Sequence, residues 1–105
     1  MELTQKKCKP CEGGVPSLTE TETNNLLKQI PSWTIKDTHV FKEFKFKDFK
    51  EAIVFVNKVA DIAEQEGHHP DITINYNKIS IELWTHAVNG LSENDFILAA
   101  KIDEL

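Results

Sequence analysis

Glu64-Gln65-Glu66-Gly67-His68-His69-Pro70 is the stretch on which the reading of this 105-residue chain turns. Before it, Phe49, Ala52, Ile53, Val56, Ala60 and Ala63 recur at helical spacing and form one apolar stripe. Asp48, with Glu51 three positions on, supplies the N-terminal signature of that helix. Gly67 ends it, because a helix commonly stops at a left-handed residue, a conformation a Cβ disfavours. Pro70 forbids continuation and biases His69 toward an extended backbone. Two adjacent imidazoles are thus offered on a short, stiff connection of the kind that tends to carry reactive groups.

Working outward toward the C-terminus, Ile72, Ile74 and Tyr76 alternate with Thr73 and Asn75. Asn77-Lys78 is the expected tight turn, since Asn tolerates positive φ. Ile79, Ile81 and Leu83 then share one face of a strand, with Ser80, Glu82, Trp84 and, if the strand persists, His86 on the other. Gly90 ends the connection, and Ser92 with Asp95 opens a last helix, Leu91 and Phe96 standing at hydrophobic-staple positions.

Toward the N-terminus, Val40, Phe44 and Phe46 share a face of a strand paired with the short run at Trp33 and Ile35. Thr19 and Glu22 form a capping box for a short helix stopped by Pro31. The order helix, hairpin, helix, hairpin, helix predicts an α+β fold. In it a four-stranded antiparallel sheet carries its helices on one face. Residues 18–105 form the domain, and residues 1–17, with Gly13, Gly14 and Pro16 as breakers, read as an extended or partly mobile arm. A second stripe on the long helix, Phe55, Val59 and Ile62, exceeds what one sheet face can cover and predicts an oligomer built partly on that helix, a generous single core being the alternative.

A length of 105 residues supports one core. The net charge of −5 argues against a protein that binds nucleic acid by its phosphates, which requires a concentrated basic face. No apolar run approaches the ~20 residues that span a bilayer, and no signal peptide opens the sequence, so no membrane role and a cytoplasmic location are expected. Cys8 and Cys11 are the only cysteines. A C-x-x-C pair can be redox-active or half of a zinc site, but neither a strand–helix context nor a second pair accompanies this one.

Glu64, His68, His69 and His86 are the chemically telling set. Histidine titrates near neutrality, so one copy can donate a proton while another accepts one at the same pH. That suits a reaction which removes a proton at one atom and expels hydroxide, as water, from another. The same histidines could hold a metal, although adjacent residues rarely turn both rings toward one ion. Trp84 offers a flat surface to an aromatic ring or to another subunit.

The pattern Glu64-x-x-x-His68-His69-Pro70, Tyr76-Asn77-Lys78, Thr85-His86, Gly90-Leu91-Ser92 and Asp95 resembles the pterin-4a-carbinolamine dehydratases. The resemblance runs from about Trp33 to the C-terminus and includes the Phe44 to Phe49 entry to the long helix. The arm with Cys8, Cys11, Gly13 and Gly14 is similar to the N-terminus of many microbial members. The resemblance implies a metal-free, cofactor-free enzyme, assembled as a homodimer or homotetramer, that dehydrates 4a-hydroxytetrahydropterin to the quinonoid dihydropterin, recycling the cofactor of aromatic amino acid hydroxylases. It implies His68 and His86 as acid–base residues, and His69 as a third active-site histidine that mainly orients the pterin. Glu64, Gly67, Pro70, Trp84, Thr85 and Ala87 are the implied substrate-binding residues. Asp95 belongs to the pattern, yet its position also makes it a helix cap, the role expected here. At Ile72 and Thr73, where some relatives carry aromatic residues, the packing of the far side of the pterin is in question. Animal relatives also act as a dimerisation cofactor of a transcription factor, and other relatives serve molybdopterin metabolism. Both stand as alternatives.

Overall fold

The computed structural model describes residues 2–9 and 16–105. Helix α1 (Glu20–Leu27) is followed by β1 (Thr34–Lys36), β2 (His39–Lys45), helix α2 (Phe49–Glu66), β3 (Asp71–Asn75), β4 (Lys78–Leu83) and helix α3 (Glu93–Asp103). Short 3-10 turns occupy Leu3–Gln5 and His86–Val88. The strands form one antiparallel sheet in the order β1-β2-β4-β3. The first hairpin therefore abuts the second through β2 and β4, in a register pairing Val40 with Leu83 and Phe44 with Ile79. Val40, Ile79, Ile81 and Leu83 are fully buried on the face that meets the helices. The α+β layer expected from the alternation is the observed architecture. Among the described residues, no helix is long and apolar enough to cross a membrane.

The helix ends follow local chemistry. Thr19 and Glu22 cap α1 reciprocally. The Asp48 carboxylate accepts the Glu51 N–H at 2.9 Å to start α2. Gly67, at φ 66°, ends it with its N–H on the Ala63 carbonyl. Ser92 and Asp95 cap α3, and the staple pair Leu91 and Phe96 is buried. Helix α3 is apolar on nearly every side, with residues 94–100 all buried, as expected of a helix enclosed by other elements. It lies against α1, α2, β2 and the Leu3–Gln5 turn.

Helix α2 sits rotated from its expected orientation. Phe55, at 7% exposure, and Val59, at 0%, face the core with Ala52 and Ala63, and Ile62 packs at its edge. The stripe assigned to a partner is thus the inner one. Phe55 meets Phe44 of β2 and Phe46 just beyond it at ring separations of 4.7 and 4.9 Å, so these two aromatic residues claimed that side. The outward face carries Phe49 and Val54, each 50% exposed, with Ile53 half-buried and Ala60 exposed.

Two connections also depart from expectation. The second hairpin turns at Tyr76-Asn77, not Asn77-Lys78, and the left-handed residue is Tyr76 at φ 55°. Asn77 is occupied by tertiary bonds: its carbonyl accepts the Phe46 N–H, and its amide donates to the Phe46 carbonyl at 2.9 Å. Strand β4 stops at Leu83, so His86 lies in the 3-10 turn of a small loop closed by paired backbone bonds between Thr85 and Gly90. A Cβ at Gly90 would fall 2.8 Å from the Ser17 Cβ, and the close approach of that segment therefore selects glycine.

The beginning of the arm is structured. Leu3 is buried in the core, a burial worth roughly 1.5–3 kcal/mol. Lys6 bonds Glu93 at 2.8 Å, and the Cys8 N–H donates to Glu66 Oε1 at 2.9 Å. The Lys9 N–H donates to Asn94 Oδ1, while Asn94 Nδ2 donates back to the Lys9 carbonyl at 2.6 Å. Cys11, Gly13 and Gly14 lie outside the described residues.

Candidate active site

A cavity of about 550 Å³ opens where three segments meet. The end of α2 and its exit supply Glu64, Glu66, Gly67, His68 and His69. The exit from β4 supplies Trp84, Thr85 and His86, and the arm with the start of α3 supplies Cys8, Lys9 and Asn94. The antiparallel pairing of β3 with β4 explains the first convergence. Asp71 lies opposite Glu82, so the residues just before β3 and just after β4 emerge at the same end of the sheet. The three histidines separated by up to eighteen positions in sequence are thereby brought to one cavity.

The two neighbouring imidazoles are anchored differently. Nε2 of His68 meets Asp95 Oδ1 at 2.6 Å, and the His68 side chain is only 11% exposed. Asp95 is fully buried, and its second oxygen accepts from Thr85 Oγ1 at 2.9 Å and from the Ser92 N–H at 3.0 Å. Asp95 therefore caps α3 and holds His68 with the two ends of one carboxylate. The expected capping role is present, and the histidine contact is the part sequence reasoning missed. Its signal was the presence of Asp95 in the same pattern as Glu64, His68, His69, Thr85 and His86, all of which line the cavity. Nε2 of His69 instead pairs with Glu64 Oε2, one helical turn back, and both side chains are largely exposed.

His86 is exposed on its 3-10 turn, and its ring packs against the Trp84 indole with centroids 3.7 Å apart. The aromatic surface foreseen at Trp84 is thus partly used within the chain. Because His68 and His69 direct their Nε2 atoms to separate carboxylates, the pair does not converge on one point. Among the described residues, no group of three His, Cys, Asp or Glu side chains is arranged to hold a metal ion.

The third wall was not foreseen. Glu66 is nearly buried and accepts from both Lys101 Nζ at 2.8 Å and the Cys8 N–H. Burial alone would raise its pKa, but the bonds from Lys101 and Cys8 and the Lys101 charge outweigh that and hold it below the ordinary carboxylate value. Burial, reinforced by the Glu66 charge, pushes the Cys8 thiol up to about 12. At neutral pH it remains protonated and is a poor nucleophile and metal ligand. Of the expected site residues, Pro70 and Ala87 do not line the cavity, whereas Gln65, Glu66, Asn94, Cys8 and Lys9 do.

The comparisons with known proteins point to one family. A family model described as pterin 4 alpha carbinolamine dehydratase matches residues 16–105. A Rickettsia bellii protein, provisionally named a pterin-4-alpha-carbinolamine dehydratase, is 51% identical over 105 residues, which cover 98% of this chain and 93% of that protein. A Nitrosomonas eutropha protein of the same provisional name is 50% identical over 105 residues, covering 99% and 93%. The crystal structure of a transcriptional coactivator/pterin dehydratase from Brucella melitensis matches with a TM-score of 0.79 and 37% identity, covering 84% of this chain and 96% of that one. From the fold and these similarities together, the chain belongs to the pterin 4 alpha carbinolamine dehydratase family.

Proposed function

We propose that this protein is a hydro-lyase that removes water from a 4a-hydroxytetrahydropterin, yielding the quinonoid dihydropterin. The observation that carries the reading is the meeting of His68, backed by buried Asp95, with His86 from a separate segment in one cavity. With Nε2 of His68 donating to Asp95, its Nδ1 bears the lone pair and can accept the proton from N5 of the pterin. As the N5–H electron pair forms the C4a=N5 double bond, the C4a–O bond breaks. His86 donates a proton to the departing oxygen, which leaves as water. The proton taken by His68 then returns through solvent to His86, so no net proton is consumed. His69, held by Glu64 at the rim, orients the pterin.

The physiological role that fits this chemistry is recycling the pterin of an aromatic amino acid hydroxylase in the cytoplasm. The protein acts as a homo-oligomer that uses the outward face of α2. The complete histidine set and its cavity support catalysis over a purely interacting coactivator role.

The test is steady-state kinetics on freshly generated 4a-carbinolamine, corrected for spontaneous dehydration. His68→Ala and His86→Ala each lower kcat by about 10²–10⁴-fold, the usual contribution of general acid–base catalysis. His69→Ala acts mainly by raising KM. Near wild-type kcat in both of the first two variants would show that the acid and base are wrongly assigned.

A further inference from the structure

We propose that His39, the one histidine outside the cavity, is a positioning residue for His86 and acts through Trp84. His68 and His86 differ in how they are held. His68 is fixed by a buried carboxylate, whereas His86, among the described residues, makes no side-chain hydrogen bond and is exposed. What locates its ring is the contact with Trp84. The placement of His86 is therefore only as good as that of the indole.

The indole itself needs support. Trp84 lies one residue beyond the end of β4, half-exposed on the face of the sheet away from the helices. Its Nε1–H reaches Asp71 Oδ2 at 3.3 Å, a long bond to a neighbouring strand. His39 supplies the rest. The register that pairs Val40 with Leu83 places His39 opposite Trp84 one step further on. The two rings are parallel to within 8° with centroids 4.8 Å apart, an offset stack. The His39 ring is in turn fixed by Glu82, whose Oε2 lies 3.0 Å from Nδ1 on the diagonal of the same strand pair. Glu82, His39, Trp84 and His86 thus form a continuous row from the open sheet face to the cavity. A Trp84 side chain free to change rotamer would leave the His86 ring without the surface it packs on, and misplacing a reacting group by about 1 Å can cost ~10²-fold in rate.

The kinetic consequence rests on the dehydratase reading, but the structural one does not. His39→Gln keeps a hydrogen-bonding partner for Glu82 and removes the ring, and His39→Phe keeps a flat ring and removes the imidazole. His39→Gln should lower kcat about tenfold with KM changed less than about twofold, and His39→Phe should restore most of the loss. In parallel, the assigned ring-proton resonances of His86, which feel the Trp84 ring current, should move in His39→Gln and stay near their wild-type positions in His39→Phe. Unchanged kcat and unchanged His86 resonances in folded His39→Gln overturn the proposal, as does equal impairment of the two variants. If the wild type itself fails to exceed spontaneous dehydration, the dehydratase reading falls, while the resonances still decide whether His39 positions His86.

Discussion

At the scale of single residues, Asp95 ties the most together. Its carboxylate is fully buried yet serves the Ser92 N–H, the Thr85 hydroxyl and the His68 ring at once. Asp95→Asn isolates the last of these. The amide oxygen can still accept from Ser92 and Thr85, but its NH₂ then faces Nε2 of His68. That selects the tautomer with its proton on Nδ1, which can no longer accept one from substrate. The expected result is a fall in kcat of about 10²-fold or more, with little change in KM. A stability loss of ~1–3 kcal/mol, measured by urea denaturation, should accompany it because a buried charged bond is weakened. A kcat equal to wild type would remove Asp95 from the catalytic arrangement and leave it a cap. The cap was legible from Ser92 and Asp95 alone, since it is an i, i+3 relation. The His68 contact spans 27 positions, and no local rule reaches that far.

At the scale of elements, the arm is joined to the end of α2 through Glu66. The folded pKa of Glu66 is depressed, so the stabilisation it provides is complete above the ordinary value of about 4.5 and is lost as pH falls through the folded value. Protonation would weaken both the Lys101 ion pair and the bond from the Cys8 N–H. The urea midpoint of wild type should therefore exceed that of Glu66→Gln at pH 7, and the gap should close as acidification carries the protein below the ordinary value and through the depressed folded one. A gap independent of pH would mean that Glu66 contributes by packing rather than by charge. Sequence patterns concealed this element because the arm has no periodicity. Its order comes from Leu3 entering the core and from Asn94 gripping the Lys9 backbone, both contacts with α3 more than 80 positions away.

At the scale of the whole molecule, the rotation of α2 changes which substitutions probe assembly and which probe folding. Val54→Glu, on the outward face, should lower the mass seen by light scattering toward the 12.0 kDa monomer while leaving the melting temperature nearly unchanged. Phe55→Glu should instead cost several kcal/mol of stability, since it places a charge among Phe44, Phe46 and the rest of the core. A wild-type mass of 12.0 kDa at micromolar concentration would refute assembly altogether. The sequence by itself determined the element order, the caps, the alternation that buries Ile79, Ile81 and Leu83, and the histidine-bearing turn. Each of these depends on residues within a few positions of one another. Tertiary structure alone decided which face of α2 turns inward, because Phe44 and Phe46 had to find an aromatic partner. It also moved the hairpin turn to Tyr76, because Asn77 bonds Phe46, and made the arm a cavity wall. The row from Glu82 through His39 and Trp84 to His86 exists only where β2 and β4 lie side by side. Contacts of that kind form between segments the chain order keeps apart, and their geometry is set by packing rather than by neighbouring residues.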